Sequence, residues 1–416
     1  MKRRNMLLMS VVLLTGLFIT GCSNGEKSSG KDDGKDDGKV NIRFSTWDSE
    51  KDLDNQQKLV DKFNESQDKI NVTLEAYGGE YDTKISAGIG AGDAPDVMYM
   101  WNFPHYKDAL EPLDTLIENE GAEYKGNFYE TLWNYNSIDG KTYGIPIGFT
   151  THAVYYNKDL FDAKKIDYPK EGWTWDDLEK MAEKITDSNT GDTGFALPGK
   201  PDPYDFEMFA WGNKGSFTDD KGKLAGQLDS KQTIEVFDSF QKMLKNESAI
   251  ATEGSGTTEM ESGKVGMYVY GSWGLNTLKD AGINYGLAEI PSRNGNEGAS
   301  ILSSSGLAIS KDSKNKEAAF EFIKFWTNEE ANEYRLEYEL PVLKSVVDKH
   351  DLENDEFKGV FYKMLQKSDK FTPSSFKAEG WSDISSDLSL SFERIFNPST
   401  LENPETVLKE VTNKYK

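Results

Sequence analysis

The residues best equipped for chemistry are aromatics that stand beside a carboxylate or an amide, outside the apolar stripes of helices. Trp47-Asp48 closes the first strand pattern and Trp101-Asn102 follows the third. Tyr204-Asp205 and Trp211 come just after Pro203, Gly271-Ser272-Trp273-Gly274 follows a strand pattern at 265–269, and Trp381 follows Gly380. An indole or phenol face stacks on the C–H face of a sugar ring, while a neighbouring Asp or Asn bonds the hydroxyls. A single tryptophan serves core packing as readily as a ligand. Five such positions, several at strand ends, point to a recognition surface, because ligands of α/β sheets bind beyond the carboxyl ends of strands.

Other chemistries fall away. Cys22 is the one cysteine, and His105, His152 and His350 have no paired spacing, so neither a disulfide framework nor a thiolate or paired-histidine metal site is expected. Gly194 to Lys200 follows most of a phosphate-loop pattern, but Pro201 stands where Ser or Thr would hold magnesium, and Pro198 removes an N–H donor. Gly-x-Ser-x-Gly, Cys-x-x-Cys and His-Glu-x-x-His do not occur. The run Asp187-Ser-Asn189-Thr-Gly191-Asp192 is rich in oxygen ligands and accommodates calcium, yet ordinary turn chemistry explains it more simply. The 71 acidic residues supply carboxylate pairs of the type used in glycoside hydrolysis, but none sits in an apolar sequence setting that would raise its pKa. No cofactor is expected.

The elements that must position these residues are legible from periodicity. Val40, Ile42 and Phe44 alternate as a strand, and Leu53, Leu59, Val60 and Phe63 share a helical face. Ile70, Val72 and Leu74 alternate again. Tyr81, Ile85 and Ile89 resume helical spacing, and 96–100 is a short strand after Pro95. This β-α-β-α-β order predicts a sheet covered by helices. Thr174 with Asp177 forms a helix-capping pattern, 231–244 and 315–326 are amphipathic, and the last ninety residues read as mostly helical. No long repeat appears, so two lobes would share the chain through several crossings.

The chain has 416 residues and a formal charge of −23. Without Lys2, Arg3 and Arg4, 45 basic residues face 71 acidic ones, which argues against nucleic acid or anionic lipid as a partner. Residues 1–21 read as a signal peptide, a basic start followed by an apolar run at 6–19 that is short for a bilayer span. The run ends Ile19-Thr20-Gly21-Cys22, which resembles a bacterial lipobox. That resemblance implies cleavage before Cys22 and lipidation of its thiol, with the body held at the outer face of the cell membrane. Residues 22–39, almost entirely Gly, Ser, Lys and Asp, form a flexible tether.

A set of short motifs resembles the extracellular solute-binding proteins of ABC importers, the family that includes maltose-binding protein. They are Ala91-Gly-Asp-Ala-Pro95-Asp96-Val97, Glu111-Pro-Leu-Asp114, Asp139-Gly-Lys-Thr-Tyr-Gly-Ile-Pro146, Tyr155-Tyr-Asn-Lys-Asp-Leu-Phe161 and Trp173-Thr-Trp-Asp-Asp-Leu178. Gly263-Lys-Val-Gly-Met267, Gly271-Ser-Trp273, Ser303-Ser-Ser-Gly-Leu-Ala-Ile-Ser310 and Ser313-Lys-Asn-Lys-Glu-Ala-Ala-Phe320 complete the set. Towards the C-terminus only Leu340-Pro341 and Trp381 stand out.

The resemblance implies a two-lobed α/β fold with a hinge and a central ligand cleft. Lobe 1 would hold 40–148 and 289–326, and lobe 2 would hold 149–288 and 327–416, with crossings near 147–151, 289–291 and 326–328. It implies a non-enzymatic monomer that captures a sugar or oligosaccharide and delivers it to permease subunits; the competing reading is a lipid-anchored glycoside hydrolase. Thr150 falls where the family places a polar sugar contact, His152 lies two residues on, and Trp273 falls where a stacking tryptophan is common. Ser304 lies in the serine-rich motif, and Asp82 lies on a loop at the cleft edge. With Trp47, Asp48, Trp101, Asn102, Tyr204, Asp205, Trp211 and Trp381, these form the expected binding set.

Overall fold

The computed structural model describes residues 38–416. The expected signal peptide, Cys22 and the expected tether up to residue 37 lie outside the described residues. In chain order the strands are β1 (Val40–Thr46), β2 (Ile70–Ala76), β3 (Val97–Met100), β4 (Ser137–Ile138), β5 (Lys141–Thr142) and β6 (Ile145–Asn157). They continue as β7 (Thr193–Pro198), β8 (Ala249–Thr252), β9 (Val265–Gly271), β10 (Tyr285–Ala288) and β11 (Leu302–Ile309). Nine form one sheet in the order β2-β1-β3-β11-β6-β9-β7-β8, with β10 also on β6, while β4 and β5 make a separate hairpin.

β1 is parallel to both β2 and β3, so the chain must cross over between them. The helices Glu50–Ser66 and Tyr81–Ala91 make those crossings. Leu59, Val60 and Phe63 of the first are buried, as their spacing requires. In the other half, Thr174 and Asp177 cap the helix Trp175–Ile185 reciprocally. That helix lies so close to β7 that a Cβ on Gly194 would fall 2.1 Å from the Ala182 carbonyl oxygen. Gly194 therefore belongs to a strand packed under a helix and not to a phosphate loop.

β6 joins the two halves. All thirteen of its residues are buried. Its residues 145–151 pair antiparallel with β11, 152–156 with β9, and 154–157 with β10. The handover falls between Thr151 and His152. Three passages of the chain are tied together there. Thr151 Oγ1 donates to the Phe361 carbonyl at 2.8 Å. The His152 N–H donates to Ser300 Oγ at 2.6 Å, and the Ser300 N–H to Ser368 Oγ at 2.9 Å.

The buried apolar side chains of the α/β fold fall into two large clusters. One gathers Phe44, Val97, Phe322 and Trp326, and reaches past the handover to Tyr155 and Tyr268. The other gathers Phe206, Phe237, Phe240, Phe392 and Phe396. Each buried aromatic contributes roughly 1.5–3 kcal/mol relative to exposure. The segment 326–328 is a turn between the helices Lys316–Trp326 and Glu329–Tyr334, and Ala331, Leu340 and Val346 beyond it are buried in the first cluster.

Candidate functional site

Gly148, Thr150 and His152 alternate along β6 and so share one face, spanning about 13 Å. That face has two differently built ends.

At the His152 end the imidazole is buried, which pushes its pKa down to about 4 and leaves it neutral near pH 7. Its Nε2 lies 4.0 Å from Asp205 Oδ2. Asp205 sits in the first turn of the helix Pro203–Gly212. Its side chain keeps 46% of its exposure. Surrounding protein still raises the carboxyl to about 6.

Trp273 stands just before the helix Gly274–Asp280, 49% exposed, its ring edge-on to His152 at 6.1 Å and to Tyr270 at 5.6 Å. The indole folds back over Gly271, where a Cβ would come within 2.8 Å of it, so glycine is required there. The Ser272 N–H donates to Thr150 Oγ1 at 2.8 Å, fixing this turn to β6. Tyr204 donates its hydroxyl to the Leu302 carbonyl at 2.6 Å, with Tyr135 Oη at 3.3 Å.

At the Gly148 end the wall is Trp47, Asp48, Tyr99 and Glu339. Trp47 packs edge-on against Tyr99 at 4.0 Å and Tyr81 at 5.5 Å. Glu339 lies against the position a Gly148 Cβ would take. It accepts from Arg335 Nε at 2.9 Å and from the Tyr99 hydroxyl at 3.3 Å. Gln56 donates to Asp48. Burial first, then Glu339 and Asp52, raises the Asp48 carboxyl to about 7. Burial likewise raises Glu339, against the pull of Arg335. The expectation that no carboxylate sits in an apolar setting is therefore corrected at Asp48, Glu339 and Asp205. Their surroundings are assembled by residues distant in sequence.

The remaining expected residues divide. Trp101 is 43% exposed just after β3. Asn102 caps the short helix Phe103–Tyr106, accepting the His105 N–H at 3.4 Å. Ser304 is buried and donates to the Gly148 carbonyl at 3.2 Å. Asp82 lies on the helix Tyr81–Ala91, not on a loop, and accepts from the Tyr106 hydroxyl at 3.1 Å. Trp211 is packed rather than open. It is only 5% exposed, stacked on Phe371 at 5.0 Å in a small core with Met208 and Ile301. Trp381 opens the helix Trp381–Phe396 and packs against the second cluster.

Glu339, Arg335 and Tyr99 were missed. An Arg–Glu pair four residues apart, directly before Leu340-Pro341, was the available signal for the first two. The oxygen-rich run 187–192 is a turn, and its charge is met by Lys164 on Asp187 at 2.8 Å and Lys264 on Asp192 at 3.2 Å. Among the described residues no group of three or more His, Cys, Asp or Glu is arranged to hold a metal.

The family model of the bacterial extracellular solute-binding proteins matches residues 58–359. The chain belongs to that family. A Brucella abortus chain named as a binding protein is 29% identical over 343 residues, 80% of each chain. The maltotriose-binding protein of Pyrococcus abyssi is 27% identical over 305 residues, 66% of this chain and 61% of its own. The ABC substrate-binding protein of Listeria monocytogenes, solved with cycloalternan, superposes with a TM-score of 0.74 at 25% identity, covering 91% of this chain and 98% of that one. Among the described residues no helix is long and apolar enough to cross a membrane.

Proposed function

We propose that this chain is the substrate-binding subunit of an ABC importer, and that it captures a sugar or oligosaccharide and delivers it to the permease without chemical conversion. The observation that carries this reading is the half-exposed Trp273 indole, held edge-on to a neutral His152 with Asp205 alongside. An apolar face with acceptors at its rim suits a ring of C–H groups bearing hydroxyls. The maltotriose-binding and cycloalternan-bound relatives support the same ligand class.

The lobes would close about the Thr151–His152 handover, with the ligand contacting both. We assign 329–352 to the first lobe, because Ala331, Leu340, Val346 and Leu352 are buried in its core. The chain would act as a monomer, lipidated at Cys22 after loss of the signal peptide and anchored outside the cell membrane.

A melting-temperature screen over di- and oligosaccharides, with product analysis on the same samples, tests the function. A sugar should raise Tm without being cleaved and should shrink the radius of gyration in solution scattering. Release of reducing ends would favour a hydrolase, and no response to any sugar would remove the carbohydrate reading. Cys22→Ala should leave the body unprocessed or released; a processed, membrane-retained variant would remove the anchor.

A further inference from the structure

The turn that carries Trp273 is tied down through a single peptide unit. The Gly271 carbonyl accepts from the Tyr155 hydroxyl at 2.6 Å, and the Ser272 N–H donates to Thr150 Oγ1 at 2.8 Å. These are the two polar atoms of one peptide bond. A planar peptide held at both its oxygen and its nitrogen cannot swing about the flanking dihedrals, so the direction in which the chain leaves β9 is set. Both ties come from β6 but from its opposite faces, Thr150 from the face of Gly148 and His152, Tyr155 from the other.

Both side chains are committed to the protein. Thr150 is 4% exposed and donates its own hydrogen to the Thr151 carbonyl at 2.9 Å. Tyr155 is fully buried among Tyr268, Tyr285 and Phe361. Burial raises its pKa well above the ordinary phenol value, so the hydroxyl stays a donor. The space around it is close-fitting. A Cβ on Gly274 would lie 3.0 Å from the Tyr155 hydroxyl oxygen and 2.9 Å from Tyr270 Cδ1. Glycine on either side of Ser272-Trp273 thus lets the phenol and the indole close onto the same short stretch of backbone.

Resting on the reading of Trp273 as a sugar platform, we propose that Thr150 and Tyr155 are its positioning residues: they orient the Gly271–Ser272 peptide so that the indole stands open to the ligand, and Thr150 acts through that turn without touching the sugar. Loss of either hydroxyl leaves a peptide N–H or carbonyl without its partner, and the peptide turns to find another. The half-exposed indole then leaves the rotamer in which it faces the ligand.

Thr150→Val removes the hydroxyl and nearly keeps the shape, Tyr155→Phe removes the phenol oxygen, and Thr150→Ser retains a hydroxyl. Each is made in the full chain labelled with 5-fluorotryptophan, the Trp273 fluorine signal being identified by Trp273→Phe. Without ligand, Thr150→Val and Tyr155→Phe should shift or broaden that signal and leave those of the other tryptophans in place, while Thr150→Ser should match wild type. Maltotriose, titrated by calorimetry, is the binding probe. Thr150→Val and Tyr155→Phe should each weaken it by about five- to tenfold. On a Trp273→Ala background the same substitutions should add less than about twofold.

A Trp273 signal unchanged in both variants overturns the inference and leaves the sugar reading standing. So does a Thr150→Val loss that persists in full on Trp273→Ala, because the hydroxyl then meets the sugar itself. Signals that move for all the tryptophans, with early melting, show that the two residues serve the fold at large, and also overturn it. If neither maltotriose nor any saccharide of the screen binds the wild type, the sugar reading falls, while a displaced Trp273 signal still upholds the positioning.

Discussion

The two ends of the β6 face use similar residue types for opposite tasks. At the Gly148 end Trp47 is wedged between two tyrosines, and Glu339 is held by Arg335 and Tyr99. Ser305 Oγ donates onward to Tyr99 Oη at 3.2 Å. Such an interlocked wall is pre-organised and moves little when a ligand arrives. At the His152 end Trp273 is held by a glycine beneath it and two edge contacts, with half its surface open. The difference teaches that a tryptophan next to a polar residue becomes wall or platform according to what packs behind it. Trp211, stacked flat on Phe371, is the limiting case of the wall.

The contrast breaks first at its most rigid point. Arg335→Met should cost about 3–5 kcal/mol of unfolding free energy, because it leaves Glu339 buried and unpaired near Asp48. Urea unfolding measures this; a loss under about 1 kcal/mol would mean that the pair does not hold the wall together. Trp211→Ala should lose a similar 3–5 kcal/mol of stability as a core truncation.

Trp273→Ala sharpens the comparison from the other side. It should weaken binding of a sugar found in the screen by about 2 kcal/mol, or roughly thirtyfold, and leave most of the ligand-free Tm intact. Early melting with normal binding would put Trp273 among the wall residues.

The smallest effect is in pH. Asp48 is raised to about 7, mainly by burial, so the folded chain keeps a proton that the unfolded chain releases near its ordinary carboxylate pKa. Stability from this group is therefore present at low pH and lost as pH rises through about 7. Asp48→Asn should flatten that decline, by on the order of 1 kcal/mol after solvent screening. Melting curves across this range check it, and an unchanged slope would show that Asp48 has no excess charge to shed.

Much of the frame was legible before any coordinates. Alternation at Val40, Ile42 and Phe44 and helical spacing at Leu59, Val60 and Phe63 placed the first crossover, and the Thr174–Asp177 cap was found as expected. These are local signals, set by backbone geometry and by side chains within a turn of each other. The order of the family motifs pointed to the solute-binding fold, and the strand-end position of Trp273 to an exposed aromatic.

Only the tertiary structure decided which aromatics face solvent and which carboxylates are strained. Trp211 and Trp273 sit in similar sequence settings, yet Phe371, 160 positions along, covers one and nothing covers the other. Asp48 owes its raised pKa partly to Glu339, nearly 300 residues away. Burial and charge coupling are sums over spatial neighbours, and the neighbours that matter here are far apart in sequence and meet only in the folded chain.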